Sequence, residues 1–134
     1  MFTSAPRSQC KLRFWNQNYF GSHFGGSMFA MTDPFFAFLL KMKLGTSYAV
    51  WDKASTIRFR KPGLGVLHAE FVVPPQLVED VRHTVETSVA KKAEPELTVD
   101  VVDETGEVVA QVVKTLSVRK LDPSKSRRRS HLQV

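Results

Sequence analysis

The sequence predicts an α+β domain in which a largely antiparallel sheet curls around one long central helix. Three observations carry that reading. The run Ser27–Lys43 puts Met28, Phe29, Met31, Phe35, Phe36, Phe38, Leu39, Leu40 and Met42 on nearly every side of a helix, and a helix that is apolar all round is one that other elements wrap. The remainder is mostly strand-like, and its two Val-rich closing segments are joined by a hairpin-length loop. A second helix carries only one apolar stripe, Leu77, Val81, Val85 and Val89, which places it at the edge or end of the sheet rather than inside it.

Each element follows in order. Cys10–Trp15 alternates charged and apolar residues as a short strand does. Asn16–Gly26 is turn-rich, with Gly21, Gly25 and Gly26. The apolar helix Ser27–Lys43 then stops at Gly45. Tyr48–Arg60 forms a strand ended by Lys61-Pro62-Gly63, and Val66–Val73 a second strand stopped by Pro74-Pro75. The striped helix has Glu79 and Asp80 early and Lys91 and Lys92 late, as its dipole prefers. Leu97–Val102 and Val108–Val118 close the order β–α–β–β–α–β–β, joined by Asp103–Glu107.

At 134 residues with 43% hydrophobic and 24% charged residues, the chain fits one domain with a real core and is neither disordered nor fibrous in composition. That domain spans residues 10–121, after an N-terminal segment 1–9 and before a basic tail 122–134 that is expected to be disordered. Lys125, Arg127, Arg128 and Arg129 against Asp122 give the tail +3 of the formal net charge of +6. The remaining +3 is ordinary for a domain, so no nucleic-acid partner is expected. The single cysteine, Cys10, excludes an internal disulfide framework and a Cys-rich zinc module. His68 and Glu70 share a strand face, but nothing completes a metal site, so no metal is expected. The opening residues lack the apolar core of a signal peptide, and no apolar run is long enough to span a bilayer, so a cytoplasmic setting is the expectation.

The residues that carry chemistry run from Asn18 to Asp33. Glycines just before a helix leave backbone N–H groups unpaired at the positive end of its dipole, a place for an anion or a developing oxyanion. Asp33 is a carboxylate among apolar residues and must face a cleft, a partner or a substrate. Two geometries fit Asp33-Pro34: a mid-helix kink that re-aims the carboxylate, or a cap-and-first-residue pair that starts a helix, leaving Met28–Met31 as an apolar loop.

Asn18, Gly21, His23-Phe24-Gly25-Gly26 and then Asp33 resemble the signature of hotdog-fold acyl-CoA thioesterases of the phenylacetate-pathway type. Gly21–Ser27, Met31–Phe35, Tyr48–Ala54, Phe59–Gly63 and the closing Gly106–Lys120 resemble an uncharacterised branch of that superfamily, a domain of unknown function. The resemblance runs from about Leu12 to Leu121 and implies the hotdog fold. It implies hydrolysis of an acyl thioester to free acid and thiol, with Asp33 as general base or nucleophile. The Gly25 and Gly26 amides would polarise the thioester oxygen, and Asn18 would place the attacking water. These groups would come from two subunits, so a dimer or a tetramer is implied. The motif's usual histidine falls where this chain has Phe24, and His23 stands one position earlier. Coenzyme A enters as part of the substrate rather than as a cofactor. Arg58, Arg60 and Lys61 are the candidates for its phosphates, and Phe35, Phe36 and Phe38 are candidates for an acyl tunnel. The alternative is a non-catalytic acyl-CoA or lipid-binding module of the same fold.

Overall fold

The computed structural model describes residues 5–124. The basic cluster Lys125–Arg129, expected in a disordered tail, lies outside the described residues. Six strands form one antiparallel sheet in the order β1-β3-β5-β6-β2, with the short β4 also on β6. The strands are β1 (Arg7–Lys11), β2 (Tyr48–Phe59), β3 (Val66–Glu70), β4 (Lys92–Ala93), β5 (Glu96–Val102) and β6 (Val108–Lys120). Three helices accompany them: α1 (Gly25–Ala30), α2 (Phe35–Leu44) and α3 (Pro75–Thr87). Among the described residues, no helix is long and apolar enough to cross a membrane.

The period-2 patterns of β5 and β6 set which face of the sheet is buried. Leu97, Val99 and Val101 of β5, and Ala110, Val112, Leu116 and Val118 of β6, are buried on one face. Against that concave face α2 lays Phe36, Leu40 and Leu44, all buried. The Phe36 and Phe35 rings meet Phe71 at centroid distances of 5.2 and 4.8 Å. The striped helix α3 buries Val78, Val81 and Val85 and packs on α2, β4 and β6. Along β2 the register with β6 shifts between Asp52 and Ala54. This bulge keeps both Asp52 and Ser55 on the concave face, opposite Leu116 and Lys114, although their positions are three apart.

Three expectations are corrected. The long helix is two: α1 ends at Ala30 and α2 begins at Phe35, with a cis Asp33–Pro34 peptide between them. Pro34 lacks an N–H and disfavours helical geometry at Asp33, so the apolar run cannot continue through it. Neither geometry envisaged for Asp33-Pro34 holds in full, because the second helix does start beyond Pro34 while Met28 and Phe29 lie in a helix and not a loop. Nor is the central helix wrapped on every side within one chain, for Phe38 and Met42 of α2 are 62% and 65% exposed. Finally, the first strand runs Arg7–Lys11 rather than Cys10–Trp15. Its partner β3 begins at Val66, opposite Lys11, so the pairing stops there and the chain turns away into a 3-10 turn at Phe14–Asn16.

Candidate functional site

The turn 17–24 is built by Asn18. Its Oδ1 accepts the Phe20 and Ser22 amides at 2.9 and 3.1 Å, and its Nδ2 donates to Ser22 Oγ at 2.9 Å. Gly21 takes φ +77°, which allows the turn to close. His23, 1% exposed, leaves this turn with both ring nitrogens engaged. Nε2 lies 2.7 Å from the Gly65 carbonyl oxygen, and Nδ1 lies 3.9 Å from Cys10 Sγ. A carbonyl only accepts, so the proton sits on Nε2 and Nδ1 presents its lone pair to the thiol. His23 therefore staples the glycine loop to the 63–65 turn, a bond reinforced by its backbone N–H on Gly63 O at 2.8 Å. Burial raises the Cys10 thiol above its ordinary value, against a smaller lowering by Asn16.

Gly25 and Gly26 open α1. As the first helical residues they have no acceptor within the helix for their N–H groups. A Cβ at either would push on an exposed aromatic ring: it would stand 2.8 Å from Phe59 Cζ on Gly25 and 2.5 Å from Phe24 Cε1 on Gly26, so the ring must swing aside to admit it. Gly25 lines a cavity of about 450 Å³ together with Asn18, His23, Met28, Arg60 and Lys61. The cavity thus gathers five of the predicted site residues, Gly25 among them, with Phe59 as an apolar wall. Gly26, Arg58 and Asp33 do not line it. Lys61 is also committed elsewhere, to Asp103 at 2.7 Å and to Glu107. Asp103 first, then Glu107, raises the Lys61 ammonium above its ordinary value.

Asp33 sits on the turn between α1 and α2, in a second group of side chains. Lys114 of β6 places its Nζ 2.9 Å from Asp33 Oδ1 and 3.5 Å from Asp52 Oδ2, with the Phe29 ring centroid 5.8 Å away. Lys114 is 1% exposed while the Asp33 side chain is 53% exposed, so the ammonium is the floor of the group and Asp33 its mouth. The Lys114 hydrogen bond, then the Asp52 carboxyl, holds Asp33 below the usual carboxylate range. Burial, followed by the Asp33 carboxylate, pushes Asp52 up. Sequence reasoning missed both Lys114 and Asp52. A lysine interrupting the core-facing alternation Val112, Leu116, Val118 of a closing strand was the available signal.

Of the three candidate tunnel residues, Phe36 is core, Phe35 stacks on Phe71, and Phe38 is exposed. A curled antiparallel sheet holding a central helix is the hotdog fold. The chain belongs to the family described as a domain of unknown function, DUF4442, which matches residues 4–118. No curated protein matches it. Among solved structures it is similar to a Pseudomonas aeruginosa protein of unknown function described as a probable thioesterase, at 24% identity and a TM-score of 0.74, covering 88% of this chain and 78% of that one. It is similar to the PaaI protein of the E. coli phenylacetic acid degradation operon, at 16% identity and a TM-score of 0.56, covering 87% and 72%. A Streptococcus mutans protein bound to acetyl-CoA matches at 18% identity and a TM-score of 0.56, covering 85% and 80%. At these identities the likeness carries the fold.

Proposed function

We propose that the protein is an acyl-CoA thioesterase that works as a homodimer, each site combining the glycine-loop cavity of one subunit with Asp33 of the other. One observation carries this reading: a single chain holds the cavity with its unpaired Gly25 amide and, outside that cavity, a carboxylate kept ionised and half-exposed. Each half lacks what the other supplies. The fold shared with proteins named thioesterases, and with one crystallised with acetyl-CoA, supports the substrate class.

In the reaction, the N–H of Gly25, the one of the two glycines that lines the cavity, faces the thioester oxygen where negative charge develops. Asp33 accepts a proton from water as the water oxygen bonds to the carbonyl carbon. The C–S bond then breaks, and the proton held by Asp33 passes to the departing thiolate, leaving free acid and thiol. Asn18 and His23 shape the loop that presents the amides; their bonds to Ser22, Gly65 and Cys10 suit that role better than contact with water. Arg60 at the cavity wall is the cation best placed for a coenzyme A phosphate, since Lys61 already serves two carboxylates.

The alternative, an acyl-CoA-binding module without turnover, draws on the Lys114 ion pair, which makes Asp33 a weaker base. Thiol release from a panel of short, long and aromatic acyl-CoAs separates the two. The enzyme reading expects turnover that falls at least ~100-fold in Asp33→Asn, which keeps the shape and removes the base. Binding of acyl-CoA with no thiol release from a folded dimer establishes the module instead.

A further inference from the structure

Lys114 is the only lysine, arginine or carboxylate that is buried among the described residues. An ammonium out of water needs compensation, and two carboxyls from different elements converge on it: Asp33 from the α1–α2 turn and Asp52 from β2. From α1 the group meets the Phe29 ring and no charge. Lys53, next to Asp52 at the bulge, turns instead to Glu94 at 2.6 Å. Two ionised carboxylates against one ammonium would leave an excess negative charge around a buried cation, with Asp52 the less exposed of the two carboxyls. Asp52 Oδ1 is buried and meets no donor. A proton on that carboxyl removes both difficulties, since it neutralises the excess charge and turns an unsatisfied acceptor into a donor toward the Asp33 carboxylate.

We propose that Lys114 and Asp52 are the positioning residues of Asp33: the three side chains form one proton-sharing unit of zero net charge, in which the ammonium fixes Asp33 as the carboxylate and Asp52 holds the proton. This rests on the reading of Asp33 as the reacting carboxylate. Two donors from below leave the exposed side of Asp33 to receive a water. When Asp33 takes that water's proton the unit gains one positive charge, as the oxyanion forms at the glycine amides. Passing the proton to the departing thiolate returns the unit to neutrality.

The directions of titration agree with the geometry and fix the sign of the pH dependence. Asp52, raised, adds stability that is fully present below the ordinary carboxylate value and is lost as pH rises through its folded value. Asp33, lowered, adds stability that is present above the ordinary value and is lost as pH falls through its folded value.

Carbon-13 titration of the aspartate carboxyls in the full-length protein tests the unit without reference to turnover. The expected result is two mutually dependent curves, Asp33 below and Asp52 above the ordinary carboxylate value. Lys114→Met is expected to raise Asp33, Lys114→Arg to keep it low, and Asp52→Asn to raise it by less than Lys114→Met does. Two independent curves at ordinary values overturn the proposal, in an active or an inactive protein alike. Should Lys114→Met fail to fold, wild type, Lys114→Arg and Asp52→Asn still decide. In thioester hydrolysis, Lys114→Met is expected to lower kcat by roughly 10- to 100-fold with KM little changed, and to move the acid limb of the rate profile upward, a shift that Lys114→Arg reverses. An acid limb that stays in place in Lys114→Met also overturns the unit. A wild type that hydrolyses nothing refutes the enzyme reading and leaves the titration to judge the proposal alone.

Discussion

The glycine loop and the Asp33 group are held in shape by opposite means. The loop is a web of neutral hydrogen bonds, Asn18 to the Phe20 and Ser22 amides and His23 to Gly65, with the Phe59 and Phe24 rings set close against Gly25 and Gly26. The Asp33 group is a balance of charges around a buried ammonium. A neutral web depends on shape and is little affected by pH in the carboxylate range. A charge balance depends on where protons sit, and it can gain and return one. That difference matches the two tasks that thioester hydrolysis sets, presenting fixed dipoles to an oxyanion and moving a proton.

Breaking the loop at its functional atom should have the largest effect. Gly25 is the first residue of α1, where proline is tolerated, and Phe24 already has the extended backbone (φ −62°, ψ 132°) that a residue before proline prefers. Gly25→Pro therefore deletes one N–H while keeping the helix start, and Gly25→Ala, which sets the same Cβ against the exposed Phe59 ring but keeps the N–H, is its control. The expected loss in kcat is roughly 10²–10³-fold, the usual cost of one oxyanion donor. Circular dichroism and thiol-release kinetics on the same preparation check it. A smaller effect is expected at His23. His23→Ala leaves the Gly65 carbonyl without its donor and is expected to cost about 1–3 kcal/mol of stability by urea denaturation, with kcat of the folded protein reduced less than about tenfold. The smallest concerns Lys61, whose two carboxylate partners lie in the loop before β6. Lys61→Ala is expected to leave the melting temperature and kcat near wild type, in contrast to the buried Lys114.

Much of the fold was legible in the sequence. The apolar stretch around Phe36 and Leu40, and the alternation in β5 and β6, specify a helix on a concave sheet because burial must follow the helical and strand periods. The break at Met31–Pro34 was legible only as an ambiguity, since Pro34 fits both a kink and a helix start; α1 is helical and buries Met28 in the core. The glycine loop was legible as turn chemistry, and its role only through the resemblance of Asn18–Asp33 to the thioesterase signature. The partners of His23 were not, because Cys10 and Gly65 stand 13 and 42 positions away in the chain. Lys114 and Asp33 are 81 positions apart. Asp52 reaches them through a bulge at Lys53 that no glycine or proline marks. Charge groups assembled from three elements leave little local pattern, whereas loops and stripes are local by nature.

The shared site is the central claim, and subunit complementation tests it most directly. Gly25→Pro and Asp33→Asn, each inactive alone, are mixed under conditions of subunit exchange. In the mixed dimer one site carries both changes and the other carries neither. A site that draws its amides and its carboxylate from different subunits predicts recovery of about a quarter of wild-type activity in an equal mixture, from half the dimers each with one intact site. No recovery, with exchange shown by mass spectrometry, would contradict the account.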